Sequence, residues 1–286
     1  MHKTVLILGS NGRFGRHASN AFAEKGWEVR QFDRARDDLW DAAWGAEVIV
    51  NAWNLPYPDW ADQLPKLTNQ IIEVAKSTKA TVIVPGNVYV FGTDAPSVLS
   101  ADTPHAAQNP LGRIRIEMEA TYRRSGIRTI ILRAGDFIDT EASGTWFDKV
   151  MITKVRKGRF IYPGDPDVEH AWAWLPDLTV AAAALAEIRA DLPIFADIPF
   201  AGYTLTGAEL CAAISTHLGR PIQLQKMNWL PLQIARPFWK MASPLLEMRY
   251  LWNKAHRIDG GKFDALLPDF NFTPPELAIP RALGKL

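Results

Sequence analysis

Short apolar runs at residues 5–8, 29–32, 48–50, 81–84, 129–132 and 194–196 alternate with longer stretches whose apolar positions recur at helical spacing. Such alternation predicts helices packed on a parallel, doubly wound sheet, an α/β class fold. The helices expected between the runs include residues 64–76, 113–124 and 178–189. In the second of these, Ile114, Met118 and Tyr122 fall four residues apart and mark one face, while the third is alanine-rich and reads as buried on most sides. Past Asp197 the rhythm changes. Thr206 followed by Glu209 is a capping-box start, residues 210–218 continue as a helix, and Gly219-Arg220-Pro221 stops it. Residues 229–286, rich in proline, tryptophan and basic side chains, read as short helices and loops. The pattern divides the chain into residues 1–197, with cleft-lining segments near 140–175, and a smaller lobe at 198–286.

Gly9-Ser10-Asn11-Gly12-Arg13-Phe14-Gly15 follows the first run directly. A chain that turns sharply from strand to helix, with its backbone close to a pyrophosphate, needs residues without a Cβ. The helix start then presents free N–H groups to phosphate charge. The helix that follows has Ala18, Phe22 and Ala23 on its inner face, Arg16, Asn20 and Glu24 on its outer face, and a stop at Gly26. The second run ends in Asp33, 18 residues beyond Gly15, where a carboxylate can accept hydrogen bonds from an adenosine ribose. Three glycines within seven residues also occur in ordinary loops. Here strand, turn, helix, stop and second strand all fall within about thirty residues, the length of one βαβ unit. Gly9, Asn11, Gly12, Arg13, Phe14, Gly15, Asp33 and Arg34 are therefore candidate cofactor-binding residues.

The cofactor choice stays open between NAD and NADP. Asp33 favours NAD, because its carboxylate repels a ribose 2′-phosphate, whereas Arg34, with Arg13 and Arg36 nearby, can clamp that phosphate. All three arginines also fit a solvated loop surface.

Composition narrows the partners. At 286 residues and 48% hydrophobic the chain can bury a large core. Its net charge is +1 with both signs scattered, which predicts a small-molecule partner, no nucleic acid and no membrane surface, and leaves the oligomeric state open. Cys211 is the one cysteine, so no intrachain disulfide forms, in keeping with a reducing compartment. The first strand begins at about Thr4, leaving no room for a signal peptide, and no apolar run approaches the roughly twenty residues of a membrane span. A cytoplasmic protein is expected. No second histidine stands at metal-ligand spacing from His170, so no metal is expected, and the eleven tryptophans are expected to serve chiefly in packing.

Taken in order, the glycine turn, Asp33, Pro85-Gly86-Asn87-Val88-Tyr89-Val90-Phe91-Gly92, Ile131-Leu132-Arg133-Ala134-Gly135-Asp136-Phe137 and Ala173-Trp174-Leu175-Pro176-Asp177 resemble the extended or atypical short-chain dehydrogenase/reductase superfamily, in its NAD-dependent epimerase/dehydratase branch. The resemblance spans almost the whole chain. It implies a Rossmann doubly wound parallel sheet with a smaller C-terminal substrate lobe, a nicotinamide cofactor in the cleft, and Asn51-Ala52 beside that cofactor. It also implies a Ser or Thr after the fourth strand and a Tyr-x-x-x-Lys, whose tyrosine transfers a proton and whose lysine lowers the tyrosine pKa and holds the ribose.

This sequence departs from that pattern. Counted back from Phe91-Gly92, the hydroxyl position falls on Asn87, and the Tyr-x-x-x-Lys position falls on Asn109-Pro110-Leu111-Gly112-Arg113. Asparagine cannot transfer a proton as an acid at neutral pH. Arg113 can hold a ribose or phosphate, but its guanidinium does not deprotonate. Tyr89 is the substitute proton donor within the sequence, although the same residue fits half-buried packing in an alternating segment. Asp136, after a strand end, is placed in the cleft, and His170 among Trp172 and Trp174 reads as either a pocket-lining or a packed residue. Asp177 behind Pro176 is read as a helix N-terminal cap.

Two functions follow. The favoured one is an NAD(P)-dependent oxidoreductase or epimerase acting on a polar small molecule such as a sugar nucleotide. Its catalytic candidates are Tyr89, Asn87 and Arg113, with Asn87, Asp136 and His170 on the substrate. The alternative is a non-catalytic NAD(P)-binding sensor or scaffold.

Overall fold

The computed structural model describes residues 3–284; residues 1–2 and 285–286, at the outer ends of the two expected divisions, lie outside the described residues. The chain runs β1 (Thr4–Leu8), α1 (Arg13–Glu24), β2 (Glu28–Phe32), α2 (Leu39–Ala43), β3 (Val48–Asn51), α3 (Trp60–Thr78), β4 (Thr81–Gly86), β5 (Val98–Leu99), α4 (Pro110–Ser125), β6 (Thr129–Arg133) and β7 (Asp136–Ile138). It continues through β8 (Arg159–Tyr162), β9 (His170–Trp174), α5 (Leu175–Glu187), β10 (Phe195–Pro199), β11 (Tyr203–Leu205), α6 (Gly207–Leu218) and β12 (Gln223–Lys226). It closes with α7 (Leu230–Ala235), α8 (Ala242–Glu247), β13 (Arg257–Ile258), α9 (Gly261–Leu266) and α10 (Pro275–Leu283).

Six strands form one sheet in the order β10-β6-β4-β3-β1-β2, and every neighbouring pair is parallel. The chain leaves β1 towards β2 at one edge and returns on the other side of β1 as β3. That reversal opens a crevice at the carboxyl ends of β1 and β3, the point where open α/β sheets bind ligands. The apolar runs are continuous because both faces are covered. Val5 and Ile7 pack with Phe22 of α1 and Leu178 of α5, while Leu6 and Leu8 pack with Ile71 of α3 and Met118 and Tyr122 of α4.

The smaller lobe is assembled from two separated stretches. β7 and β9 pair in parallel and β11 joins β9 antiparallel, while β8 pairs with β12. A second core joins Ile138, Phe160, Trp172 and Trp174 to Leu210, Ile214, Trp252 and Ile279, so residues 136–174 pack among residues 203–283. The chain crosses between the layers on glycines with no room for a side chain. A Cβ on Gly135 would stand 2.1 Å from the Ala171 carbonyl oxygen, and one on Gly202, at φ +58°, 2.1 Å from that of Trp172.

Helix α6 begins as its sequence predicts. Thr206 Oγ1 accepts from the Glu209 N–H at 3.1 Å, the Glu209 carboxylate accepts from the Thr206 N–H at 2.7 Å, and Gly219 ends the helix at φ +62°. Asp177 departs from expectation. It lies in the first turn of α5, where its charge suits the dipole, but the cap position belongs to Trp174 and no side chain caps the helix. Its carboxylate instead accepts from the Thr273 N–H at 2.6 Å and Oγ1 at 2.8 Å, fastening the C-terminal segment to α5. A partner 96 residues away is invisible to a local cap rule.

Candidate active site

The glycine turn leaves β1 at Gly9, whose φ of +78° and contact with β3 both exclude a side chain: a Cβ there would meet the Ala52 carbonyl oxygen at 2.9 Å. At Gly15 a Cβ would stand 2.2 Å from the Gly9 carbonyl oxygen. Gly12 is the N-cap of α1, donates its N–H to that same carbonyl at 2.9 Å, and brings no side-chain cap, and no acidic residue stands in the first turn. The helix start is therefore a bare N-terminus beside glycine backbone, the arrangement a pyrophosphate requires. Asn11 and Gly12 are exposed and Phe14 is buried beneath the turn.

Around this turn the predicted residues separate. Asp33, exposed just beyond β2, accepts from the Ala35 N–H at 2.9 Å and lies 3.5 Å from Arg36 Nε. Arg34 stacks over the Trp53 ring at 4.7 Å. Arg13 is turned away from Asp33 and donates from Nη2 to the Gly144 carbonyl oxygen at 3.1 Å. Beside it Arg16 pairs with Asp139 and Glu141, and His17 Nε2 meets Asp139 at 2.7 Å, so the segment after β7 is tied to the start of α1. Asn51 is directed into the core, donating to the Tyr122 hydroxyl at 3.2 Å, while Ala52 forms the wall against Gly9.

At the end of β4 the expected alternating segment is instead a single 3₁₀ turn, residues Val88–Val90, which buries both valines and leaves Tyr89 half-buried. Asn87 caps this turn, its Oδ1 accepting from the Tyr89 N–H at 3.1 Å. The Tyr89 phenol lies 2.7 Å from the phenol of Tyr57, which the loop after β3 supplies. Both phenols are held above their ordinary pKa, first by burial, and the charge of Asp136 adds to the shift. They are neutral hydrogen-bond donors at neutral pH.

Asp136 at the start of β7 retains 21% exposure and accepts from His170 Nε2 at 2.8 Å. His170 itself is 1% exposed, stacked on Trp252 with ring centres 4.3 Å apart and planes 3° from parallel. It packs edge-on to His256, and its Nδ1 is buried with no hydrogen-bond partner among the described residues. His170 thus fixes the orientation of Asp136, whose carboxylate is the more open of the two groups.

Helix α4 places Arg113 and Arg115 on different sides. Arg113 is exposed and donates to Gln108 at 2.7 Å. The inward-facing pair at the same four-residue spacing is Leu111 and Arg115, and Arg115 is 8% exposed, donates to the Pro85 carbonyl oxygen at 2.8 Å and leaves Nε without a partner among the described residues. Arg115 shares the buried side of α4 with Met118 and Glu119, whereas Arg113 lies on its open side.

Below the turn, Arg133 is buried between Glu119 and Asp197, donating from Nη2 at 2.7 and 2.5 Å, and its Nη1 donates to the Asn87 carbonyl oxygen at 2.6 Å. Burial alone would raise the Glu119 pKa, but the Arg133 charge and hydrogen bond hold it below the usual carboxylate value. His105, Glu119 and Asp197 have ligand-type atoms within 4.8 Å of one another, yet the Arg133 guanidinium already supplies the cation there.

No protein-family model and no curated protein matches the sequence. Solved structures do match in fold. MoeE5 in complex with UDP-glucose and NAD superposes with a TM-score of 0.76 over 98% of this chain and 97% of its own, at 15% identity. The human epimerase family protein SDR39U1 with NADPH gives 0.73 over 99% and 100%, at 16% identity. UDP-glucuronic acid 4-epimerase from Bacillus cereus, in complex with UDP-glucuronic acid and NAD, gives 0.73 over 96% of each chain, at 12% identity. Over nearly its whole length this chain, with its six-stranded parallel sheet, shares the Rossmann-like α/β fold of these structures.

Proposed function

We propose that the chain is an NAD(P)-dependent oxidoreductase or epimerase acting on a polar, hydroxyl-bearing small molecule of the sugar-nucleotide class, with an atypical proton-handling group. The observation that carries this reading is the Tyr57–Tyr89 phenol pair, 2.7 Å apart and under the charge of Asp136, at the carboxyl end of the sheet. The glycine cradle fits a dinucleotide because Gly9 and Gly15 have no room for a Cβ and α1 starts uncapped. Gly9, Gly12 and Gly15 would hold the pyrophosphate, Asp33 the adenosine ribose and Ala52 one wall, while Arg34 leaves NADP open beside NAD. When bound, the nicotinamide supplies a hydride acceptor or donor.

The remaining chemistry belongs to this chain. Of the two neutral phenols one donates to the other, and the one whose O–H stays free donates a hydrogen bond to a substrate oxygen. Asp136, fixed by His170, is the oxygen base available to accept a proton from a substrate hydroxyl. Arg115 contributes fixed positive charge near Tyr89 without exchanging a proton.

Calorimetric titration with NADH and NADPH, followed by a turnover screen of nucleoside-diphosphate sugars, tests this reading. Tyr89→Phe is expected to keep cofactor binding and to lower turnover by about 10²- to 10⁴-fold, the usual worth of a positioned acid–base group. Loss of saturable binding in the wild type, or unchanged turnover in Tyr89→Phe, overturns it. A second reading, a non-catalytic NAD(P)-binding sensor, is favoured by Leu111 and Arg115 as the inward pair of α4. Saturable binding without turnover would support it.

A further inference from the structure

The stretch from β12 to α8 turns apolar side chains outward. Trp229 packs in the smaller lobe's core, and Leu232 and Leu246 pack against that core, while Leu230 is 54%, Ile234 65%, Phe238 90% and Trp239 47% exposed. Leu230 and Ile234 stand one helical turn apart on α7, and Pro237-Phe238-Trp239 forms the tip between α7 and α8. Exposed apolar residues scattered singly need no explanation, but four gathered on one short hairpin do.

The charge pattern around them is one-sided. Between Glu209 and Glu247 the sequence contains no acidic residue, and Arg236 and Lys240 bracket the aromatic tip. Both are exposed. Glu247, the first acid to follow, is turned inward, accepting from Asn109 Nδ2 and from the Leu111 N–H at 2.7 Å each. Nothing on the hairpin therefore neutralises its two cations or repels an anionic surface.

We propose that residues 228–246 are a shallow docking device for an anionic phospholipid surface: Phe238, Trp239, Ile234 and Leu230 enter the headgroup–acyl boundary while Arg236 and Lys240 pair with lipid phosphates. The chemistry favours lipid over a protein partner. The most exposed apolar residue projects at the tip of a turn rather than lying in a flat patch, tryptophan suits the interface, and long basic side chains keep their charge at headgroup level with their stems in the apolar zone. The sequence-wide charge of +1 conceals this local excess. Such an anchor is peripheral and reversible, consistent with the finding that no helix among the described residues is long and apolar enough to cross a membrane. It is independent of the function proposed above.

Co-sedimentation of the full chain with vesicles of phosphatidylcholine alone, and of phosphatidylcholine mixed with phosphatidylglycerol, tests the proposal. The wild type is expected to partition onto the anionic vesicles at low salt and to be released as salt screens the basic pair. Phe238→Ser with Trp239→Ser, and separately Arg236→Gln with Lys240→Gln, should each reduce partitioning by about tenfold. Because these positions are exposed, unchanged far-ultraviolet circular dichroism and an unchanged urea-unfolding midpoint are expected in both variants. Absent binding to anionic vesicles overturns the proposal, as does binding that both variants retain. So does a concentration-dependent dimer, seen by sedimentation velocity and dispersed by Phe238→Ser with Trp239→Ser, when no vesicle binding accompanies it.

Discussion

At the ends of β1 and β3 the cleft is made of main chain: Gly9, Gly15 and the Ala52 carbonyl approach so closely that no Cβ fits between them. Past the end of β4 and at the starts of β7 and β9 it is made of side chains, with Tyr57 from the loop after β3 joining Tyr89, Asp136 and His170, and buried Arg133 in support. The first half depends on exclusion of atoms, and single substitutions should act on it by steric collision. The second depends on burial of polar groups, and substitutions should act on it by leaving charges or donors without partners.

The sharpest break of that comparison is Arg133→Met. It strands the buried carboxylates of Glu119 and Asp197 and releases the Asn87 carbonyl, and should lower unfolding stability by about 3–5 kcal/mol in urea titrations. Next comes Gly15→Ala in the main-chain half. With a Cβ 2.2 Å from the Gly9 carbonyl oxygen the turn must open, and dinucleotide affinity by calorimetry should fall about a hundredfold, about 2.7 kcal/mol.

His256 offers a titration of the side-chain half. Burial first, and then the neighbouring His170, push its pKa down from 6.5 to about 3. Between those values the unfolded chain binds a proton that the folded chain refuses. Its contribution to stability is therefore fully present above about pH 6.5 and is lost as the pH falls towards about 3. Replacing it in His256→Phe should flatten the acid limb of the stability–pH curve by up to about 1.4 kcal/mol per pH unit. The smallest effect is expected away from the cleft, where Thr206→Ala removes half of the capping box and should reduce stability by about 1 kcal/mol without changing cofactor affinity. A larger loss of affinity there would mean that the two halves are coupled through the smaller lobe.

The same division explains what was legible in the sequence. Glycine spacing, the continuous apolar strands and the Thr206–Glu209 cap are local rules, and the parallel sheet, the turn and α6 follow them. Tyr57 was not found, because it stands in a loop and meets Tyr89 across 32 residues with no periodicity to announce it. The burial of Arg115 had no local signal either, because which side chains of α4 face inward is decided by helix phase. The reading of His170 stayed divided between pocket and packing, since the Trp252 ring stacked on it and the Asp136 carboxylate bonded to it come from distant parts of the chain.

Gly135 and Gly202 lie where the chain passes out of the large sheet into the smaller lobe, each with a neighbouring carbonyl oxygen where a Cβ would be. Backbone against backbone, these passages contain no side chain that could rotate to let the walls move apart. The spacing of the two layers is thereby a property of the main chain, not of side-chain packing. A frame of this kind tolerates edits to its exposed side chains without renegotiating how its two layers are joined.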